Sequence, residues 1–319
     1  MWYNKGSSRG NVRHVHLGAD TGGLMKSAEF EEKEYEAPLY NQLEAGSKLV
    51  WSPGQVFEQH IGIDRAAFAT NPAFWNLFGR TRPDGVYLNR YDWDFIWKKR
   101  RAKRRFPDFR LNLFIQAKRP QYFSRLPRGL SVFPLSVPIY KIDIDSPQQG
   151  TLLRVASNLG NQALVCYAAP VFHRVTQLYA HTRRNSIVQA STFPPVSAIG
   201  KHGAWWYSRP GVTGVLNPEF EPYEGPDFQE LLHERVKKSV DVEKNGVWRN
   251  LGLMATIIDK TLAEAASEND SRAGEYRLRV NELFDDAYEQ NELAEIFVNY
   301  HKVLLFARTY NLEWFVLGE

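Results

Sequence analysis

Gln116 and Lys118 stand two positions apart in FRLNLFIQAKRP, residues 109–120, where a run that reads as a strand from Phe109 through Gln116 comes to an end. Side chains alternate along a strand, so an amide and an ammonium at i and i+2 share one face. Strands covered on both faces are usually apolar throughout, and burying this pair is costly unless a charged group meets it. A carboxamide oxygen is a hard ligand, and an ammonium offsets an anion. Metal-dependent cleavage of a phosphodiester needs that combination, together with a carboxylate on the cation. Asp64 in HIGID meets this need: it ends a strand-like segment that contains Val56 and Ile61. Asp84 in RPDGV is the rival, set in a Pro-Gly turn context. Asp108 lies at the opposite end of the Gln116 strand.

These residues must be positioned by the elements around them. The stretch KSAEFEEKEYEAPLYNQLEAG reads as a helix, with Tyr35, Leu39 and Leu43 at i, i+4 and i+8 and Gly46 as its stop. Pro38 places the start of that helix, or a kink, near Ala37. KLVWSPGQVFEQHIGID reads as a strand, a turn and a second strand ending on Asp64. That strand neighbours the Gln116 strand if the insert 65–107 loops out, and loop closure cost grows only slowly with length. Downstream, SPQQGTLLRVASNLG is a helix with Ser146 as N-cap and Gly160 as C-cap. NQALVCYAAPVF is an apolar strand, HRVTQLYAHTRR a helix, and NSIVQASTF a further strand. Strands separated by helices make the fold class α/β. A Pro- and Gly-rich stretch, SRPGVTGVLNPEFEPYEGP, marks a boundary, and the rest is mostly helical by pattern. The expected organisation is a flexible lead-in over 1–26, a unit over 27–222 that contains the insert, and an acidic helical region over 223–319.

GID followed by FIQAKRP resembles the Mrr-like branch of the PD-(D/E)XK, or restriction-endonuclease-like, superfamily, whose pattern is a Gly-Ile-Asp strand followed by a strand ending Gln-x-Lys. The match is close over these two strands, and the elements around them extend its reach to about Ser27–Phe193. The resemblance implies a mixed central sheet flanked by helices. It makes Asp64 the metal-binding acid, Gln116 the second side-chain ligand, the Ala117 carbonyl a further ligand, and Lys118 the residue that handles the attacking water. It adds a glutamate from the first helix, for which Glu36 is the choice and Glu32 and Glu34 are competitors. Gln148 or Gln149 can face the site from the next helix, although a glutamine in a first helical turn more often faces water. The gap between the two motif halves is long for the family.

The implied activity is that of a Mg2+- or Mn2+-dependent DNA endonuclease, of the kind that serves restriction or anti-phage defence. DNA, a regulatory or motor protein, and a second copy of the chain are the implied partners. The alternative is a non-catalytic nucleic-acid-binding protein on the same fold.

Charge agrees with a polyanionic partner. Lys and Arg exceed Asp and Glu by 29 to 16 over residues 1–220, whereas residues 221–319 carry 11 against 20. The run KKRRAKRR concentrates Lys98, Lys99, Arg100, Arg101, Lys103, Arg104 and Arg105 in the insert, beside Trp93, Trp97 and Phe106. Such a run is ordinarily a solvated face. Its place between the motif halves makes it a phosphate-contacting loop, with Arg119 beside it. One cysteine, Cys166, allows no internal disulfide, no apolar run nears the roughly 18 residues of a membrane span, and no apolar signal core opens the chain, so a cytoplasmic protein is expected.

Overall fold

The computed structural model describes residues 25–46, 50–51, 109–239, 246–284 and 292–318. Its architecture is mixed α/β, with two sheets and eight α-helices among the described residues. In chain order the strands are β1 (Met25–Ser27), β2 (Val50–Trp51), β3 (Phe109–Ala117), β4 (Gln121–Phe123), β5 (Ile139–Asp143), β6 (Ala163–Pro170), β7 (Ser191–Thr192), β8 (Ala204–Tyr207), β9 (Thr213–Asn217), β10 (Glu221–Glu224) and β11 (Glu313–Gly318). The helices are α1 (Glu32–Gly46), α2 (Ser146–Leu159), α3 (Val175–Arg183), α4 (Val196–Ile199), α5 (Phe228–Lys238), α6 (Gly246–Ser267), α7 (Ser271–Phe284) and α8 (Glu292–Thr309). None of the described helices is long and apolar enough to cross a membrane.

The sheet that holds Gln116 runs β2-β11-β3-β6-β7. β3 and β6 are parallel, with Gln116 opposite Tyr167 and Ala117 opposite Ala168. The connection between them carries α2, as a parallel pair requires a crossover. Both faces of this sheet are covered, which explains its apolar strands. Phe114, Val165, Tyr167 and Trp314 face one core, shared with Leu152 and Val155 of α2 and with Ile258, Leu262 and Phe306 of the C-terminal helices. Leu113, Ile115, Leu164, Cys166 and Phe315 face the other, shared with Tyr35, Leu39 and Leu43 of α1. The second sheet, β1-β4-β5-β8-β9-β10, is antiparallel.

Several expectations change. The place beside β3 expected for the Asp64 strand is taken by β11, which pairs antiparallel with β3 and sets Glu313 opposite Ile115. With β11 on one edge and β6 on the other, β3 has no edge left for a third partner. The C-terminal region is therefore not a separate helical unit: its last strand lies inside the Gln116 sheet, and α6 joins α2 through Asn158 Nδ2 and Thr261 Oγ1 at 3.0 Å. Met25 and Lys26, expected to belong to the lead-in, are strand residues that pair with Phe123 and Tyr122.

Pro38 lies within α1, which starts at Glu32. A proline at this point removes only the bond to the Glu34 carbonyl, one turn from the helix start, and the buried stripe of Tyr35, Leu39 and Leu43 offsets it. Asp145, not Ser146, is the N-cap of α2; Pro147 fits the first turn, and Gly160 closes the helix with φ 56°. NSIVQASTF forms a short 3-10 turn and only two strand residues. The boundary stretch is instead the β9–β10 hairpin, in which Gly214 is required: a Cβ there would lie 2.5 Å from Trp205.

Candidate functional site

Lys118, Arg119 and Pro120 carry the chain from the end of β3 into β4, and Asp143 to Asp145 carry it from β5 back into α2. The site lies where these two crossings meet, at the C-terminal ends of the parallel strands β3 and β6, the end at which open parallel sheets leave a crevice. The Lys118 N–H extends the ladder by one bond, to the Ala168 carbonyl at 2.8 Å.

Gln116 is buried, 2% exposed. By alternation it points to the Phe114 face, and there its Nε2 donates to the Tyr310 carbonyl at 2.8 Å. Its Oε1 is buried and accepts no hydrogen bond among the described residues. A second amide reaches the same carbonyl: Gln148 Nε2 donates to it at 2.9 Å. Gln148 Oε1 accepts from the Arg272 guanidinium, whose other end lies 3.2 Å from Asp145 Oδ2. The Tyr310 hydroxyl donates to Asp270 Oδ2 at 2.9 Å, and Thr151 donates to the same oxygen at 2.6 Å. Asp270 also caps α7, its Oδ1 accepting from the N–H groups of Arg272 and Ala273. Burial would raise the Asp270 carboxyl, but the hydrogen bonds from Thr151, Tyr310, Ala273 and Arg272 hold it below its ordinary value.

Gln149, also buried, faces away from this cluster. It accepts from the Tyr167 hydroxyl at 2.7 Å and donates to the Val196 and Gly200 carbonyls, so it locks α2 to α4. Neither glutamine faces water. Both lie on the packed side of α2, where each finds partners for oxygen and nitrogen alike.

Lys118 is half-buried. Its ammonium has no hydrogen bond or ion pair among the described residues and sits 5.7 Å from the centre of the Tyr167 ring. Burial pushes its pKa down; Glu32 opposes this, Arg272 adds to it, and Asp145 and Asp143 oppose it. Of the glutamates considered on α1, Glu32 is the one whose charge acts on Lys118. Burial raises the Glu32 pKa, against the pull of Lys118 and a backbone N–H from Arg119, with Glu36 adding to the rise. Glu36, the residue chosen from sequence, instead pairs with Lys33 at 2.7 Å and sits further along α1 toward Tyr40 and Glu313. Glu34 is exposed and accepts from the Glu31 N–H.

Arg119 is held by protein rather than presented to a ligand. Its Nε donates to the Ala28 carbonyl at 3.1 Å, and its Nη1 donates to both Glu31 oxygens at 2.9 and 3.0 Å. That fork joins the end of β3 to the turn before α1. Asp64, its rival Asp84, and the basic run of Lys98, Lys99, Arg100, Arg101, Lys103, Arg104 and Arg105 lie outside the described residues.

The described oxygens fit a hard cation in part. Gln116 Oε1 is an unsatisfied buried acceptor of the right kind. Among the described residues no group of three or more His, Cys, Asp or Glu side chains is placed to hold a metal, and Asp64, the acid expected from the sequence, lies outside them. The site also uses residues that the sequence reading missed: Asp145, Asp270, Arg272 and Tyr310. Asp270, the last residue of a polar END directly before Ser271 and Arg272, carries a readable N-cap signal. Tyr310 acts through its backbone carbonyl, for which side-chain identity gives no clue. Comparison with protein-family models, with curated proteins and with solved structures finds no match for this chain.

Proposed function

We propose that the chain is a Mg2+-dependent DNA endonuclease with a restriction-endonuclease-like core made of α1, β3, α2 and β6. The observation that carries this reading is the pairing at the end of β3: a buried carboxamide oxygen with no partner, and two residues on, a half-buried ammonium with no ion pair among the described residues. Native structures rarely leave a buried acceptor unpaired without a reason. A cation on Gln116 Oε1 and a phosphate oxygen on Lys118 would satisfy both groups together.

In this reading Asp64, Gln116 Oε1 and the Ala117 carbonyl would hold Mg2+ or Mn2+, which when bound would supply charge to stabilise the phosphate and lower the pKa of water. The chain does the rest. Tyr310 orients the Gln116 amide. Lys118 holds its ammonium against the Tyr167 face and binds the phosphate. Glu32 opposes the loss of charge that burial favours at Lys118. Arg119 fixes the turn that aims Lys118. The basic run 98–105 supplies sequence-independent phosphate contacts.

The test is a cleavage panel of plasmid, duplex DNA, single strands and RNA, with Mg2+, with Mn2+ and with EDTA. Nicking of plasmid with metal, abolished by EDTA and by Asp64→Asn, is the expected result. Tight DNA binding with no cleavage under any metal would replace this reading with the non-catalytic nucleic-acid-binding one, and preference for RNA would change the substrate.

A further inference from the structure

The carboxamide of Gln116 is set from the far end of the chain. Tyr310 is held at both of its polar ends by residues at the starts of α7 and α2. Asp270 accepts from its hydroxyl at 2.9 Å, and Gln148 donates to its carbonyl at 2.9 Å. An amide can turn over, exchanging its oxygen and nitrogen. Gln148 cannot do so without penalty, because a guanidinium only donates: Arg272 demands the oxygen, which leaves the nitrogen for Tyr310. The Tyr310 carbonyl has two lone pairs, and Gln148 occupies one. Gln116 Nε2 takes the other at 2.8 Å, which turns Gln116 Oε1 away from Tyr310 and leaves it unpaired.

We propose that Arg272 is a positioning residue for Gln116, acting through Gln148 and the Tyr310 carbonyl, so that Asp270, Arg272 and Tyr310 complete the site at the end of β3. The guanidinium does not touch Gln116. Its fork spans Gln148 Oε1 and Asp145 Oδ2, and so ties the start of α7 to the start of α2 while the amide chain runs inward. The relay is geometric and requires no ligand. Its consequence for catalysis rests on the nuclease reading.

The experiment reads the carboxamide groups directly. Side-chain 15N–1H resonances of Gln116 and Gln148, assigned by their loss in Gln116→Ala and Gln148→Ala, are followed in wild type, Arg272→Met and Arg272→Lys. Methionine keeps the apolar stem and removes the donors; lysine restores one donor. In wild type, one proton of each amide is expected to exchange slowly. In Arg272→Met both amides should exchange faster, by about tenfold or more, and Arg272→Lys should recover part of the protection at both. General loosening would instead speed exchange across the β3–β6 ladder, including the Lys118 N–H.

A Gln116 amide unchanged in Arg272→Met while that of Gln148 changes would overturn the relay, as would no change in either. If the methionine variant does not fold, the lysine variant is read alone, and protection at Gln116 equal to wild type overturns the proposal. Where wild type cleaves DNA, kcat should fall roughly 10- to 100-fold in Arg272→Met, as for other groups that orient a ligand, with KM for DNA unchanged. Absence of cleavage by wild type with the amide coupling intact would reject the nuclease reading and leave the relay standing.

Discussion

Gln116 and Gln148 donate to one and the same oxygen, the carbonyl of Tyr310, at 2.8 and 2.9 Å. One amide comes from the strand that carries the candidate site, the other from the crossover helix, and the acceptor comes from the end of α8. Three segments far apart in the chain thus meet at one buried atom. The consequence for Gln116 can be tested by charge. Gln116→Glu places a carboxylate against the Tyr310 carbonyl, where it cannot donate when ionised. The variant is expected to melt below wild type at pH 7 in EDTA, and Mg2+ should raise its melting temperature more than that of wild type. A melting temperature indifferent to Mg2+ in both proteins would remove Gln116 from the reach of a cation.

Lys118→Met separates chemistry from stability. Cleavage should be lost, while affinity for duplex DNA stays close to wild type, since one lysine is a small part of a phosphate footprint. The folded pKa of Lys118 is depressed, chiefly by burial, so its charge works against folding at neutral pH. The methionine variant should therefore be at least as stable as wild type at pH 7. Because the unfolded state binds the proton more tightly, wild type recovers stability as pH rises between the folded pKa and the ordinary lysine value. The difference between the two proteins should shrink over that window in denaturant titrations at a series of pH values.

Asp270→Asn keeps a residue suited to capping α7 but replaces one oxygen by a donor that faces Thr151 and Tyr310. A loss of about 1–3 kcal/mol is expected at pH 7. The folded pKa of Asp270 is depressed, so this stability is present above the unfolded value of about 3.9 and disappears as pH falls through the folded one. Urea denaturation at pH 7 and at pH 3 should show a smaller gap between variant and wild type in acid. A gap independent of pH would show that the carboxylate charge contributes nothing.

Arg119 and the basic run should separate in one assay. Neutralising Lys98, Lys99, Arg100, Arg101, Lys103, Arg104 and Arg105 should make the slope of log affinity against log salt shallower, by about 0.9 for each duplex phosphate that the run neutralises in wild type. Arg119→Ala should leave that slope unchanged and lower the melting temperature, because its donors serve Ala28 and Glu31. A shallower slope for Arg119→Ala would mean that this guanidinium leaves its protein partners for DNA.

Much of the layout around Gln116 was legible in the sequence, because short-range physics governs it. Period-2 and period-3.6 patterns placed β3, α2, β6 and α3 within a residue or two of their observed ends. The i, i+2 spacing of Gln116 and Lys118 put both at the strand end whatever the strand packed against. The Glu32 competitor to Glu36 was visible for the same reason, being one turn away on the same helix. Which of the two meets Lys118 was not, since that depends on where α1 starts relative to β3.

Tertiary structure alone decided the neighbours. Two runs in a chain carry no record of whether they pair with each other or with a third, and EWFVLG at the far end of the chain took the edge of β3 expected for the Asp64 strand. The antiparallel sheet went unread because its strands are short and broken by Pro and Gly, so that each alone resembles a boundary. The Tyr310 carbonyl is the extreme case. Every residue carries a carbonyl, and only the way α8 ends against β3 and α2 makes this one the shared acceptor of two buried amides.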